Sequence, residues 1–245
     1  MASATEKRHS RDPFYLGMAL FSLAVVLFGF SRSFFFQDYF EFPAIPVHLT
    51  VHGAVLTAWF VLACAQPLLI KNQNPRLHRR LGMAGMFIAI GVVASGVWTV
   101  AMRDFPTIDE FPVRASGNLA SLFMFAFCVI AGYRFRRKPE HHRRLMLMAS
   151  IPILAPALDR TARIPFLNEF FGKLLYWFPD VPEVAFAFLA FLTLLFLVVA
   201  RDLISVRRVH IGTWLGLAAI LVAAPAATAI IMSTGSWVAF VKWAG

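Results

Sequence analysis

The sequence predicts an all-α polytopic membrane bundle of about seven transmembrane helices, and three observations carry that prediction. Of the 245 residues 59% are hydrophobic and 15% charged, against about 25% charged in an ordinary soluble domain, and the mean hydropathy is +0.69. Apolar stretches fall at 14–34, 47–70, 81–102, 115–135, 145–165, 184–204 and 211–233, each close to the roughly 20 residues a helix needs to cross the hydrocarbon. The basic residues gather beside alternate ends of those stretches.

Helix is the only regular form that suits these stretches. A backbone in lipid must satisfy its own hydrogen bonds, and nothing here alternates with the period of a barrel strand. Residues 1–13 form a polar segment, and the apolar run after them is too long for a signal-peptide core, so 14–34 reads as a retained first span. Connections between runs leave no room for a soluble domain, so 14–245 is expected to be a single integral-membrane unit.

The formal net charge of +10 raises the question of nucleic acid, but charge at span ends is first a topology signal. The N-terminal segment with 71–80, 134–144 and 201–210 holds 16 of the 23 Lys and Arg residues. By the positive-inside rule that side is cytoplasmic, which puts the N-terminus inside and the C-terminus outside. The expected partners are the lipid bilayer and other subunits of a membrane complex, not nucleic acid. Cys64 and Cys128 fall within spans and read as inert small apolar side chains.

Segment 166–178 is too short and too charged to span, and its large apolar residues lie along one helical face, as in an outer interfacial helix. The seventh span carries Gly212-xxx-Gly216, a surface for close helix packing. It contains no Lys, so a retinal Schiff base is excluded.

Ionisable groups inside spans are the best pointers to function, because each costs about 2.5–3.5 kcal/mol at a helix centre even on insertion scales. In the fifth span Asp159-Arg160 follows a predominantly apolar run of fourteen residues, Leu145 to Leu158, a rise of about 21 Å. Pro152 and Pro156 just before the pair predict a kink or broken turn. In the second span His48, His52, Trp59 and Gln66 share nearly one face.

His52, Asp159, Arg160 and Asn118 are thus candidates for one outer polar pocket, with Gln66 deeper as a further substrate contact. The pocket would exchange a proton or hold a cofactor and an anion; the other reading is a polar network that pins helices. His48 and His52 have the i, i+4 spacing of metal ligands but need a third, such as Asp159, Asp38 or Glu41. A haem on His52 would need Met102 or Met124 opposite it.

Three corners resemble each other: Leu77-His78-Arg79-Arg80-Leu81-Gly82, His141-His142-Arg143-Arg144-Leu145-Met146 and Arg207-Arg208-Val209-His210-Ile211-Gly212. Spans two to seven therefore read as three similar hairpins behind a solitary first helix. His78, His141, His142 and His210 are expected to converge with Arg79, Arg80, Arg143 and Arg144, there to ligate haem, bind a quinone or meet an anionic headgroup. The alternative is a solvated basic rim.

The run from His52-Gly53 through Trp59 and Gln66 to the first corner resembles uncharacterised bacterial multi-pass membrane proteins with an HRRLG-type corner. The second corner is similar to the His-Arg-x-Leu-Met segment of a small bacterial family linked to cytochrome oxidase assembly. The resemblance implies a respiratory setting in a bacterial inner membrane and no particular reaction. The leading expectation is a redox-associated module using haem or quinone. A small-solute or proton-coupled transporter and a non-catalytic assembly subunit are its rivals.

Overall fold

The structure is a computed structural model that describes residues 12–102, 110–164, 169 and 183–223, with isolated positions at 225, 226, 229 and 233. Within these residues every regular element is helical: α1 (Pro13–Gly29), α2 (Val47–Lys71), α3 (Pro75–Ala101), α4 (Glu110–Arg134), α5 (Pro139–Ser150), α6 (Ala155–Ala162), α7 (Glu183–Val206) and α8 (Ile211–Ala218). Four of them contain stretches long and apolar enough to cross a membrane: Val47–Lys71, Pro75–Ala101, Gly117–Arg134 and Phe188–Val206. Shorter apolar helices occupy Pro13–Gly29 and Ile211–Val222.

Local chemistry sets the boundaries. The Asp12 carboxylate accepts from the Phe14 N–H (3.1 Å) and Pro13 opens α1, because the first turn has donors without helical partners and proline lacks one. Asn74 and Pro75 do the same for α3, where the Asn74 amide oxygen accepts from the Leu77 N–H (3.1 Å). That cap starts α3 ahead of the apolar run at 81, so His78, Arg79 and Arg80 lie on its first turns. Gln73 and Arg207, in the turns before α3 and α8, both adopt left-handed backbone, φ 56° and 54°.

The fifth apolar stretch is not one helix. It runs as α5, a 3-10 turn at Pro152–Leu154 and α6, as the proline pair predicts, because Pro152 and Pro156 each lack an amide donor. The apolar stretches at 14–34 and 211–233 are likewise interrupted, by π-helical turns at Ser31–Phe35 and Ala219–Ala223. The amphipathic segment 166–178 lies outside the described residues apart from Glu169.

The helices α2 and α3 form one packed hairpin and α4 and α5 another, while α1 packs on α2 and α6. The third hairpin departs from the repeat pattern: α8 lies mainly against α5, and α7 against α6. Glycine makes that possible. A Cβ on Gly216 would stand 2.7 Å from Met148 Cγ, and one on Gly212 3.3 Å from the His141 Cα, so α8 seats its Gly-xxx-Gly face on α5.

The core gathers Phe60, Val92, Phe125, Cys128, Met148 and Leu154, all 1% exposed or less. Trp59 packs edge-on to Phe125 with ring centres 4.8 Å apart, and its indole N–H donates to Ser150 Oγ (3.1 Å). The outside is apolar too: Phe87, Ile90, Phe196 and Ile204 stay exposed, a surface that suits hydrocarbon and not water.

Helix approach at Gly29 is equally tight, since a Cβ there would fall 2.5 Å from the Ala157 carbonyl oxygen and 3.0 Å from Thr161 Oγ1. Gly29→Ala is expected to destabilise the protein by about 1–3 kcal/mol through overpacking. Gly17→Ala, with nothing within 4 Å of the added carbon, should be neutral or stabilising. Thermal unfolding of the two variants in one detergent checks the contrast.

Candidate functional site at the corner end of the bundle

The three corners meet at one end of the bundle, where the start of α1 joins them. At the centre lies an ion pair of two fully buried side chains, Arg144 on α5 and Asp202 on α7, each 1% exposed. Arg144 Nη2 stands 2.6 Å from Asp202 Oδ1, and Nε donates to the same oxygen at 2.8 Å. The other carboxylate oxygen accepts from the His210 N–H (2.9 Å) and from Thr213 Oγ1 (2.5 Å). Asp202 thereby fixes the chain as it turns from α7 into α8.

Arg144 is committed on its remaining side as well. Nη1 donates to the Glu140 carbonyl (2.9 Å) and to Glu140 Oε2 (2.6 Å). Arg143 pairs with the same carboxylate at 2.5 Å and lies over the Tyr15 ring of α1. Burial alone would raise the Glu140 carboxyl, but the hydrogen bond from Arg144 and the charges of both arginines hold it below the ordinary carboxylate value. Beside them Arg201 pairs with Asp12, the cap of α1. Arginine partners therefore meet Asp12, Glu140 and Asp202 alike.

The four corner histidines fall into two pairs of different character. His141 and His210 touch edge to face, ring centres 4.5 Å apart, and His210 Nδ1 accepts from the Gly212 N–H (3.0 Å) to cap α8. An accepting Nδ1 is unprotonated, so that ring carries its proton on Nε2. Burial, then the charges of Arg144 and His141, push His210 below the ordinary histidine value. Burial, then Lys138 and Arg144, act the same way on His141.

His78 and His142 stand further apart, ring centres 6.3 Å and planes at 87°. His142 Nδ1–H donates to the Gly132 carbonyl of α4 (2.9 Å), and burial lowers its basicity. His78 Nδ1 faces the Gln66 backbone carbonyl at 3.4 Å and the Gln66 side-chain amide at 2.5 Å. Arg79 and Arg80 are exposed beside it.

The outer group is arranged differently from the single pocket that spacing suggests. His52 Nδ1 bonds Ser95 Oγ of α3 at 2.9 Å. Asp159 pairs with Arg163 one turn on (3.1 Å), while Arg160 lies over the Phe30 ring and donates to the Pro156 carbonyl. Asn118 is half-buried near the start of α4. Among the described residues no hydrogen bond joins His52 to Asp159. His48 lies 6.0 Å from the Trp98 ring centre. Among the described residues no group of three or more His, Cys, Asp or Glu side chains is placed to hold a metal ion.

Sequence reading passed over Asp202, although its signal was present: an acid two residues short of the end of an apolar run at 184–204. Asp159 drew attention in its place, yet its side chain is 30% exposed. No protein-family model matches the chain, and no curated protein or solved structure is significantly similar to it.

Two outcomes are expected. Asp202→Asn or Arg144→Met strands a buried charge or its donors, at about 3–5 kcal/mol each; the double variant should cost clearly less than the sum, as a double-mutant thermal-stability cycle in detergent would reveal. Protonating His210 removes the α8 cap and adds charge beside Arg144 and His141. Because its folded pKa lies below the ordinary 6.5, stability should be fully present above that value and fall as pH drops beneath it. His210→Asn keeps a capping side chain without titrating, and should flatten the fall in melting temperature between pH 7.5 and 5.

Proposed function

We propose that this protein is a redox-associated module of a bacterial inner membrane, seating a haem or a quinone where its three corners converge. The bundle would cross the membrane seven times with those corners and the N-terminus on the cytoplasmic side. One observation carries the reading: His78 and His142, contributed by two different hairpins, meet within ring-to-ring reach without bonding each other.

Neutral imidazoles at a membrane boundary are suited to ligating an iron or hydrogen-bonding a quinone carbonyl. The exposed Arg79 and Arg80 add cations at the rim, where carboxylates or anionic headgroups would pair with them. The resemblance of the second corner to a small bacterial family linked to cytochrome oxidase assembly leans the same way. The buried Arg144–Asp202 pair supports the reading indirectly, since it holds α5, α7 and α8 in fixed register under the histidines.

Protein purified from membranes in mild detergent is expected to carry either a haem band in a reduced-minus-oxidised spectrum or a quinone in its organic extract. Preparations at full occupancy of folded protein that yield neither would sink the proposal.

A further inference from the structure

Resting on the redox reading above, the geometry points further: we propose that His78 and His142 are the axial ligand pair of one haem iron, seated between α3 and α5 beneath the first two corners. Two imidazoles facing each other across a metal have ring centres about 6 Å apart, twice the sum of a metal–nitrogen bond of about 2.0–2.1 Å and the roughly 1.1 Å from that nitrogen to its ring centre. The pair stands at 6.3 Å. Perpendicular ring planes are no obstacle, because each ring need only stand upright on the macrocycle.

Number and orientation agree with that spacing. A metal held by side chains alone needs three or more of them, and no such group occurs among the described residues; a tetrapyrrole fills four positions itself and asks the protein for two. His142 already has the arrangement that orients a ligating imidazole, Nδ1–H on the Gly132 carbonyl with Nε2 open. His141 and His210, at 4.5 Å with one Nδ1 spent on a helix cap, lack both the space and the free nitrogen.

His78 reaches the same state through Gln66. With the amide nitrogen toward the ring, Gln66 donates to Nδ1 (2.5 Å) and its oxygen accepts from the Gly82 N–H (3.2 Å), which leaves the ring proton on Nε2. With the amide turned over, its oxygen would accept Nδ1–H and free Nε2 for metal, at the loss of the amide's bonds to the His78 carbonyl and the Gly82 N–H. Coordination therefore selects the second orientation. A Cβ on Gly82, one turn from His78 on the same face of α3, would meet nothing within 4 Å, so no side chain is packed against that point of the face. The α3 helix packs mainly on α2 and α4, and α5 on α4 and α8, so α3 and α5 are not closely packed on each other. Haem propionates at the rim would face Arg79 and Arg80.

The test uses full-length protein in detergent with added haemin, read by optical and magnetic circular dichroism spectra. Wild type should give six-coordinate low-spin haem. His78→Ala and His142→Ala should each lose the low-spin spectrum and regain it on addition of free imidazole, a rescue that a misfolded variant would not give. His78→Met and His142→Met, which serve if the alanine variants do not accumulate, should stay six-coordinate with shifted bands. His52→Ala and His141→Ala should match wild type.

Low-spin haem that survives both alanine substitutions would overturn the ligand assignment and leave the redox reading standing. Wild type that takes no haemin but carries an extractable quinone would do likewise. Wild type with neither would remove both.

Discussion

The buried ion pair of Arg144 and Asp202 is the constraint on which the arrangement of the corner end depends. Two charges removed from water cost several kcal/mol each, and the cost is offset only when every donor and acceptor finds a partner. Here the carboxylate accepts four contacts, two from the guanidinium and two from the start of α8. The guanidinium in turn reaches Glu140. Moving α5, α7 or the corner before α8 by a residue would leave a charge without its partner in an apolar interior. The pair is therefore a register device more than a source of net stability, and it accounts for α8 lying on α5 instead of folding back along α7.

That network also decides what Arg144 cannot do. Spacing alone makes it a candidate for an anionic cofactor group, alongside Arg143 and the corner histidines. With all three of its nitrogens engaged by Asp202 and Glu140, it cannot turn toward another anion without dismantling the strut. Any anion at this end is left to Arg79 and Arg80, which are exposed on the first turns of α3. Two corners with the same His-Arg-Arg-Leu lettering thus carry out different work, one structural in its last arginine and one open to solvent.

Much of the architecture was legible because its causes are local. Helix positions follow from apolar length, the break in the fifth stretch from Pro152 and Pro156, and helix starts from Asp12-Pro13 and Asn74-Pro75. Convergence of the corners was legible too, from their repeated lettering. What spacing could not supply was partner choice across the bundle. Depth along a helix suggested His52 beside Asp159, but depth says nothing of azimuth, and Ser95 on the neighbouring α3 meets His52 instead. Asp202 was hidden for a related reason: it sits near a span end, where an acid reads as solvated, and only the tertiary fold turns it onto Arg144.

The two histidine pairs then differ in a way that residue type alone does not disclose. His210 spends Nδ1 on a backbone donor and leans on His141, so that pair closes a helix end. His142 spends Nδ1–H on a backbone acceptor, which leaves the other nitrogen as a lone pair with direction but no partner. The orienting bond holds the second nitrogen of this half-buried ring in one direction. That fixed direction becomes pre-organisation once a ligand occupies the position. The ring of His142, held by a backbone carbonyl, and that of His78, whose tautomer a single amide sets, together describe a site with one fixed wall and one that responds to what it binds.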